Sequence, residues 1–496
     1  MKERNAYLVG MRQKQEKRIE EYLNILQEEP ALYQVANKLI KNREVDFARA
    51  IYYTVFAPVL VSFVEWVLQE AKKKGIQRLY FLARDGYQMY LVAEWLCKSR
   101  KYDIECKYLY GSRYAWRMAE FALVGEACLD MICLGGIDVT FEKIMKRGGL
   151  TEEECLIVAK ELGFVKNYKK ILSYAQVQQL KKPLKESKTF LPFVYAHSKE
   201  AYENTIAYFK QEGLLDSVPY ALVDSGWVGS LQKTLQQLLC YAGKKKQLQG
   251  FYFGLYELPK GVKKEKYYTY YFSSTKGIKK KVYFSNCLYE AVYSAPHGMT
   301  ISYKKVEELY QPVFYKRHNL NQARMEQMEV WLQEFLLEYQ TQENTWNKQE
   351  RLKEYQKQEN NRIILWEKVN CNKKWNVDEK RKQKVVFSIL KKLMGTPLKE
   401  EVELYGTLLF SDDVTEQHTQ SVARELTEQE IKNQYVWNKI FIMLGLKKQT
   451  LKESAWIEGS IALNEKQTWW AIRWYKYLIY IRKWLKRGIS FWRNNK

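Results

Sequence analysis

Two short polar segments in this 496-residue chain place residues that can bind an anion directly after an apolar run. FLARDGY contains Arg84, Asp85 and Gly86, and VDSGWVGSLQKTL begins with Val223 and Asp224. In an open α/β sheet, ligands bind beyond the carboxyl ends of the strands, where the next helix directs backbone N–H groups at an anion. The plainer alternative is that Asp85 only caps a helix and Gly86 only makes a turn.

The second segment carries the richer phosphate-binding pattern, because Ser225, Gly226, Trp227, Gly229 and Ser230 all lie within six positions. Glycines let a backbone approach a phosphate closely, and the serine can bind it through its hydroxyl or its N–H. The pattern is neither GxGxxG nor GxxxxGK[ST], so dinucleotide and Walker-type sites are not supported. A plain strand-turn-helix corner remains the alternative.

Two further segments supply the remaining candidates. YLYGSRYAW offers Ser112 and Arg113, whose guanidinium could hold a phosphate or carboxylate through two hydrogen bonds. YEAVYSAPHGMTISY offers Glu290 and His297 as a possible acid and base. The alternatives are a surface arginine and a loop histidine that only forms hydrogen bonds.

Metal and disulfide sites are not predicted. The chain has four histidines, which give no multi-histidine pattern, and its eight cysteines contain no CxxC pair and lie in apolar runs. Reduced, buried thiols in a cytoplasmic protein are the expectation. The longest uncharged apolar run, 50–64, is shorter than the roughly 18 to 20 residues of a spanning helix, and the first residues show no signal-peptide pattern, so neither a membrane span nor export is predicted. A cofactor is not indicated.

The elements that must position these residues follow an α/β rhythm. A helix over 47–74 precedes a strand over 77–83 and a helix over 86–98, and the second polar segment repeats the strand-turn-helix order, with a further strand over 248–256. The sequence therefore predicts a doubly wound, mainly parallel, Rossmann-like sheet.

The expected organisation has four parts. Residues 1–45 form N-terminal helices, 46–303 form the α/β core with a helical insert at about 115–215, 304–468 form a mainly helical region, and 469–496 form a basic, aromatic, amphipathic helix.

Charge favours an acidic partner, since 81 Lys and Arg against 57 Asp and Glu give a formal net charge of +24. Nucleic acid, anionic lipid and phosphorylated small molecules all qualify. The last segment, 469–496, has eight Lys or Arg, five Trp and no acidic residue, a pattern typical of a helix lying in a membrane interface. A terminal helix docked through its aromatic face and an RNA-binding helix are the alternatives.

The ordered motifs FLARDGY, YLYGSR, DSGWVGS and YEAVYSAPHG resemble the C-terminal region of predicted hydrolases of the haloacid-dehalogenase (HAD) superfamily, found in bacterial surface-polysaccharide gene clusters. The resemblance covers residues 46–410 and implies a role in polysaccharide biosynthesis. Members of that group usually carry a separate N-terminal phosphatase domain with a DxDGT-like motif, which is not recognisable here. Aligning ARDGY with that motif places Ala83 at the nucleophile position and Tyr87 at the threonine position, so a phospho-aspartyl mechanism is disfavoured.

The leading hypothesis is a cytoplasmic protein, peripheral on the inner face of the cell membrane, that binds a phosphorylated, nucleotide-linked or lipid-phosphate-linked sugar. Arg84 and Arg113 would neutralise phosphate, the turn at 226–230 would hold it, and Asp85 or Asp224 would bind a sugar hydroxyl or act as a base. Whether the protein is a hydrolase-like or transferase-like enzyme stays open.

The main alternative is a non-catalytic scaffold that binds glycosyltransferases at the membrane. Nucleic-acid binding is less favoured, because the basic residues form no recognised module. Phosphoribosyltransferase-like activity is also less favoured. It rests on a weaker similarity, and Ser225 stands where that pattern has a second acidic residue.

Overall fold

A five-stranded parallel sheet lies at the centre of the protein. The computed structural model describes residues 2–41, 44–135, 139–360, 379–411, 419–443, 446–447, 454–464 and 472–482. The strands are β1 (Arg78–Leu82), β2 (Glu105–Leu109), β3 (Tyr220–Trp227), β4 (Gly250–Leu255), β5 (Tyr267–Phe272), β6 (Thr300–Val306), β7 (Leu309–Phe314), β8 (Leu409–Phe410) and β9 (Gln420–Ser421). The first five form the sheet in the order β2-β1-β3-β4-β5, all parallel, which confirms the predicted fold class.

Helices surround this sheet and make up most of the rest of the described chain. They are α1 (Lys2–Leu26), α2 (Pro30–Lys41), α3 (Phe47–Ile51), α4 (Ala57–Lys73), α5 (Gly86–Arg100), α6 (Arg113–Val124), α7 (Cys128–Ile132), α8 (Phe141–Arg147), α9 (Glu152–Glu161), α10 (Tyr174–Gln179), α11 (Lys181–Glu186), α12 (Phe190–Gln211), α13 (Ser230–Tyr241), α14 (Ile278–Val282), α15 (Asn286–Tyr293), α16 (Gln322–Asn360), α17 (Glu379–Gly395), α18 (Lys399–Tyr405), α19 (Glu428–Asn433), α20 (Val436–Met443) and α21 (Ile457–Ala462).

Side chains of β1 alternate between two apolar cores, as a strand covered on both faces requires. Leu79 and Phe81 join the core formed with α4 and α5, whereas Tyr80 and Leu82 join the core formed with α6, α12 and α13. The helix that follows β1 and the helix that follows β3 thus cover opposite faces of the sheet. The strand order reverses between β1 and β3, and ligands bind at such a switch point in doubly wound folds.

The segment between β2 and β3 is helical throughout its regular elements, α6 to α12, in agreement with the predicted insert. It has its own apolar core, in which Phe141 stacks on Phe164 with 4.5 Å between ring centroids. The long α12 returns the chain to the sheet, where Tyr208 and Phe209 enter the core beneath β1 and β3. The insert therefore has an apolar core separate from that of the sheet, and it contacts the sheet through α6 and α12.

Two local predictions are corrected by the structure. The DSGW residues were expected in a turn, but β3 continues through Trp227, with Gly226 paired opposite Gly254 of β4. The boundary at 303 falls inside β6, which forms a hairpin with β7 through a tight turn at Glu307 and Glu308. This turn lacks the glycine or asparagine that usually marks such a hairpin, although Glu307 adopts a positive φ of 54°.

The helical run Phe47–Lys73 is, among the described residues, the one that is long and apolar enough to cross a membrane. However, 94% of its most apolar window is buried inside the protein, where Phe63 and Trp66 pack against β4 and β5. These properties are those of a core helix.

The two N-terminal helices pack with helices from the C-terminal region. Arg18 of α1 donates hydrogen bonds to both carboxylate oxygens of Glu401 in α18 at 2.9 Å, and Glu21 pairs with Lys392 of α17 at 2.8 Å. Helices α1, α17 and α18, which are far apart in the sequence, thus pack together in one layer.

The predicted terminal helix, 469–496, is described over 472–482. Arg473 and Lys476 face the protein, because Lys476 pairs with Glu458 at 2.6 Å and Arg473 lies over the Tyr283 ring at 4.9 Å. Trp474, Leu478 and Ile481 face outward and are 61%, 46% and 40% exposed, and Arg482 is exposed as well. The opposite side packs on the protein, since Ile472 is 4% exposed and the Tyr480 ring stacks on Tyr256 at 6.0 Å. The helix thus docks through part of its aromatic surface, while Trp474 points away from the core. The rest of the predicted helix lies outside the described residues.

Candidate functional site

A cleft of about 990 Å³ opens at the carboxyl ends of β1 and β3. Ten of the thirteen predicted site residues line it, which are Arg84, Asp85, Ser112, Arg113, Asp224, Ser225, Gly226, Trp227, Ser230 and Glu290. The position agrees with the rule that ligands of doubly wound sheets bind at the reversal of strand order.

The floor of the cleft is a hydrogen bond between the ends of the two central strands. Ser225 Oγ donates to Asp85 Oδ2 at 2.5 Å, and Ser225 is 2% exposed. Asp85 immediately precedes α5, yet its side chain forms no capping hydrogen bond with that helix. The plain helix-cap interpretation of Asp85 is therefore not what the structure shows.

One wall is the start of α6. Ser112 caps this helix by accepting a hydrogen bond from the Ala115 N–H at 3.0 Å, and its hydroxyl donates to the Thr300 carbonyl at 2.6 Å. Arg113 follows as the first helical residue and is exposed in the cleft. Because a helix N-terminus carries partial positive charge, this end of α6 favours an anion.

The opposite wall is α15, which carries Glu290. Trp227 Nε1 donates a hydrogen bond to Glu290 Oε1, so the end of β3 fixes the position of this carboxyl group. The Trp227 ring packs against Phe284 and Tyr289, with centroid distances of 5.3 and 5.7 Å. Glu290 is thus held at the cleft by an aromatic cluster.

Burial and mutual repulsion keep the three carboxyl groups from ionising together. Burial, reinforced by the nearby charge of Asp85, raises the pKa of Asp224 to about 8, and the same two causes raise the pKa of Glu290 to about 8. Burial also raises the pKa of Asp85, against the hydrogen bond from Ser225 and the charges of Arg84 and Arg113. At neutral pH the site therefore contains protonated carboxyl groups that can donate a hydrogen bond or a proton.

Gly226 is required by the close approach of β3 and β4. Its φ is +112°, and a Cβ there would lie 2.4 Å from the Gly254 carbonyl oxygen. The residue thus lets the strand turn toward α13 while Ser225 and Trp227 stay directed at the two carboxyl groups.

Three predicted residues lie outside the cleft lining. Gly86 is buried against Phe81, and a Cβ at Gly229 would meet the Tyr267 ring at 2.8 Å. His297 Nε2 lies 2.7 Å from the Tyr108 hydroxyl, and burial lowers the pKa of His297 to about 4. The histidine thus fits the alternative of a hydrogen-bonding loop residue better than that of an acid or base in the cleft.

Several lining residues were not predicted: Ala83, Gly111, Tyr114, Val228, Leu231, Met299 and Ser411. Most of them adjoin a predicted residue in the sequence and could have been found by extending the motifs. Ser411 follows β8, and no local pattern marks it as a site residue.

Within the described ranges, no group of three His, Cys, Asp or Glu side chains is placed to hold a metal ion. The charged groups that the cleft offers to a ligand are therefore Arg84 and Arg113 beside the three coupled carboxyls. Two guanidinium groups can bind phosphate oxygens, and neutral carboxyl groups can donate to the remaining oxygens or to a leaving group.

Ala83 lines the cleft at the position that the alignment with the DxDGT-like motif assigns to a nucleophile. An alanine side chain cannot attack phosphorus. The arrangement suits anion binding and proton donation.

In comparisons with known proteins, no family model and no curated protein matches this chain.

Proposed function

We propose that the cleft binds a phosphorylated, nucleotide-linked or lipid-phosphate-linked sugar, and that the protein acts in bacterial surface-polysaccharide biosynthesis. The observation that carries the ligand class is the convergence of Arg84, Arg113 and the 225–230 segment on two carboxyl groups with a pKa of about 8. Guanidinium groups bind the phosphate, and carboxyl groups suit the hydroxyl-rich sugar. The glycan context rests on the sequence resemblance.

A ligand screen tests this proposal. Sugar 1-phosphates and nucleotide sugars are added to the full chain, with and without magnesium, and thermal shifts are measured. Arg113→Ala is expected to weaken the affinity of any stabilising ligand by roughly tenfold, because one charge-assisted contact is lost. Lys199→Ala, which replaces an exposed lysine on α12, is the matched control. Absence of a thermal shift with every phosphorylated sugar would refute the proposal.

A non-catalytic scaffold for glycosyltransferases is the second candidate, and Ala83 is the observation that favours it. The enzyme and the scaffold differ in whether the bound ligand is chemically changed. If the protein is an enzyme, it releases or transfers a group from the ligand, and the rate depends on Asp224 or Glu290. A scaffold binds the same ligand and returns it unchanged after prolonged incubation, which mass spectrometry of the ligand detects.

Membrane attachment is the remaining part of the proposal. It is supported by the outward stripe of Trp474, Leu478 and Ile481, and by the exposed Trp437 and Phe441 of α20. The two helices meet where Lys439 lies over the Tyr475 ring at 4.6 Å. Exposed tryptophans beside cations are typical of helices that lie on a bilayer, so the apolar stripe is the part expected to enter lipid.

A further inference from the structure

The cleft continues beyond Arg84, Asp85 and Glu290 into a second lobe of about 610 Å³. These three residues and Ser411 belong to the walls of both lobes. A ligand that extends from one lobe into the other must therefore pass these four shared residues, of which Arg84 is the cation. We call the part lined by Arg113 and the end of β3 the first lobe.

The second lobe is built from the loop that follows β7 and from β8. Asn319 Nδ2 donates to the Ala295 carbonyl at 2.9 Å, which fastens this loop to the chain after α15. Asn321 pairs with both backbone groups of Leu409, accepting from its N–H at 2.9 Å and donating to its carbonyl at 2.7 Å. The walls are thus positioned by the protein's own hydrogen bonds, as expected for a preformed binding site.

The lining of the second lobe combines polar and apolar groups. The Lys316 ammonium and the His318 imidazole are exposed in it, and Leu320, Leu409 and Phe410 form its apolar part. The first lobe has Arg113 as its own cation, and Arg84 is shared. Cationic groups therefore follow one another from Arg113 through Arg84 to Lys316.

A sugar monophosphate would satisfy the first lobe alone. Two adjacent phosphates would use the whole series of cations, and a group esterified to the second phosphate would meet the apolar wall. We propose that the ligand is a glycosyl diphosphate ester whose sugar and first phosphate lie in the first lobe. Its second phosphate, with the attached nucleoside or prenyl group, lies in the second. This inference rests on the proposed function, and it narrows the ligands left open there to the nucleotide-linked and lipid-linked sugars that contain a diphosphate.

The experiment compares ligands that differ only in the part beyond the first phosphate. Glucose 1-phosphate, UDP-glucose and farnesyl-diphosphate-linked glucose are titrated against the full chain by calorimetry, and the series is repeated with galactose and N-acetylglucosamine. At least one diphosphate ester is expected to bind roughly tenfold or more tightly than its sugar 1-phosphate, since it adds one or more charge-assisted contacts. The better of the two esters identifies the nucleoside or the prenyl group as the natural substituent.

The variants Lys316→Ala and His318→Ala test whether the tighter binding of the diphosphate ester arises in the second lobe. Both are expected to remove the advantage of the diphosphate ester and to leave the affinity for the sugar 1-phosphate unchanged, whereas Arg113→Ala weakens both. Lys304→Ala, which removes an exposed lysine of β6 outside both lobes, is the control, and melting curves verify that each variant is folded.

Equal affinities for monophosphate and diphosphate would overturn the two-lobed site while leaving the phosphate site intact. An equal effect of Lys316→Ala on both ligands would overturn it as well. Failure of every probe to bind would remove the proposed function, and this inference with it.

Discussion

Asp224 departs from the ordinary behaviour of an aspartate, because it is 7% exposed and lies near the carboxyl groups of Asp85 and Glu290. Ser225 fixes Asp85, and Trp227 fixes Glu290, so two alternate residues at the end of β3 hold both carboxyl groups beside Asp224. A protonated carboxyl at neutral pH can donate to a phosphate oxygen that an ionised carboxylate would repel. Two measurable consequences follow for this group.

The first concerns stability. Folding raises the pKa of Asp224 from 3.8 to about 8, so between these pH values the folded protein holds a proton that the unfolded chain has released. The free energy of unfolding therefore falls as the pH rises through this window, by at most about 1.4 kcal/mol per pH unit for one group. Asp224→Asn cannot ionise and is expected to lose this decline, becoming more stable than the parent at pH 9. Urea denaturation at pH 5.5, 7 and 9 measures it, and parallel curves for the two proteins would contradict the assignment.

The second concerns ligand affinity. Asp224 and Glu290 become anions as the pH rises past about 8, and both line the cleft. Binding of an anionic ligand is therefore expected to weaken by roughly tenfold between pH 7 and pH 9.5, because negative charge accumulates beside the phosphate. Calorimetry with the farnesyl-diphosphate-linked sugar is suitable, because no group of this ligand titrates over this range. Affinity that is constant or rises with pH would show that the carboxyl groups are already ionised at pH 7.

Among the elements, α4 is held to its neighbours by a buried ionic group as well as by apolar packing. Glu65 lies 2.5 Å from Arg100 of α5 and 2.6 Å from Lys382 of α17, and it accepts a hydrogen bond from Tyr339 of α16 at 2.8 Å. Burial opposes its charge, but Lys382 and Arg100 outweigh burial and lower the pKa of Glu65 to about 2. Four helices, α4, α5, α16 and α17, thus meet at one carboxylate.

Glu65→Gln is expected to destabilise the protein by about 3–5 kcal/mol, because the largely buried Lys382 loses its carboxylate partner and Arg100 keeps only Glu343. In the parent, the stabilisation by Glu65 is present above its unfolded pKa of about 4.5 and is lost as the pH falls toward 2. Glu70→Gln is the matched control, since Glu70 on the same helix pairs with the exposed Lys73. Denaturation midpoints at pH 7 give the comparison, and similar losses in both variants would mean that the buried group contributes little.

The helices and strands also show which parts of the fold can be predicted from the sequence. The strand-turn-helix motifs predicted the parallel sheet and ten cleft residues, because their apolar runs and polar ends are local patterns. The β6–β7 hairpin escaped prediction, since Glu307 and Glu308 give no turn signal. Lys316 and His318 were not found either, because they reach the cleft only through the hydrogen bonds of Asn319 and Asn321.

For the molecule as a whole, the excess of 24 positive charges and the outward apolar stripe bear on the proposed attachment to a bilayer. The structure separates two roles within the helix at 472–482. Trp474 and Leu478 face outward, whereas Lys476 pairs with Glu458 against the protein. Lipid binding and stability should therefore respond to different substitutions in the same helix.

The double variant Trp474→Ala, Leu478→Ser is expected to reduce cosedimentation with anionic vesicles by roughly tenfold or more, because it removes apolar area that enters the bilayer. Its melting temperature should stay close to that of the parent. Lys476→Ala should do the opposite, lowering the melting temperature while leaving lipid binding unchanged. Failure of the parent to sediment with anionic vesicles, or a large loss of stability in the double variant, would contradict membrane attachment through this stripe.

The ion pair between Arg18 and Glu401 bears on how the chain is made in the cell. Its partners are 383 positions apart, and both are buried in the finished protein. At a synthesis rate of about 5–20 residues per second, α1 leaves the ribosome roughly 20–80 s before its partner exists. During that interval Arg18 and the Tyr22 hydroxyl, which both bond Glu401 in the folded protein, lack this partner. The side of α1 that later contacts α17 and α18 therefore stays uncovered until those helices have been synthesised, while α2 and α3 are already available to pack on α1.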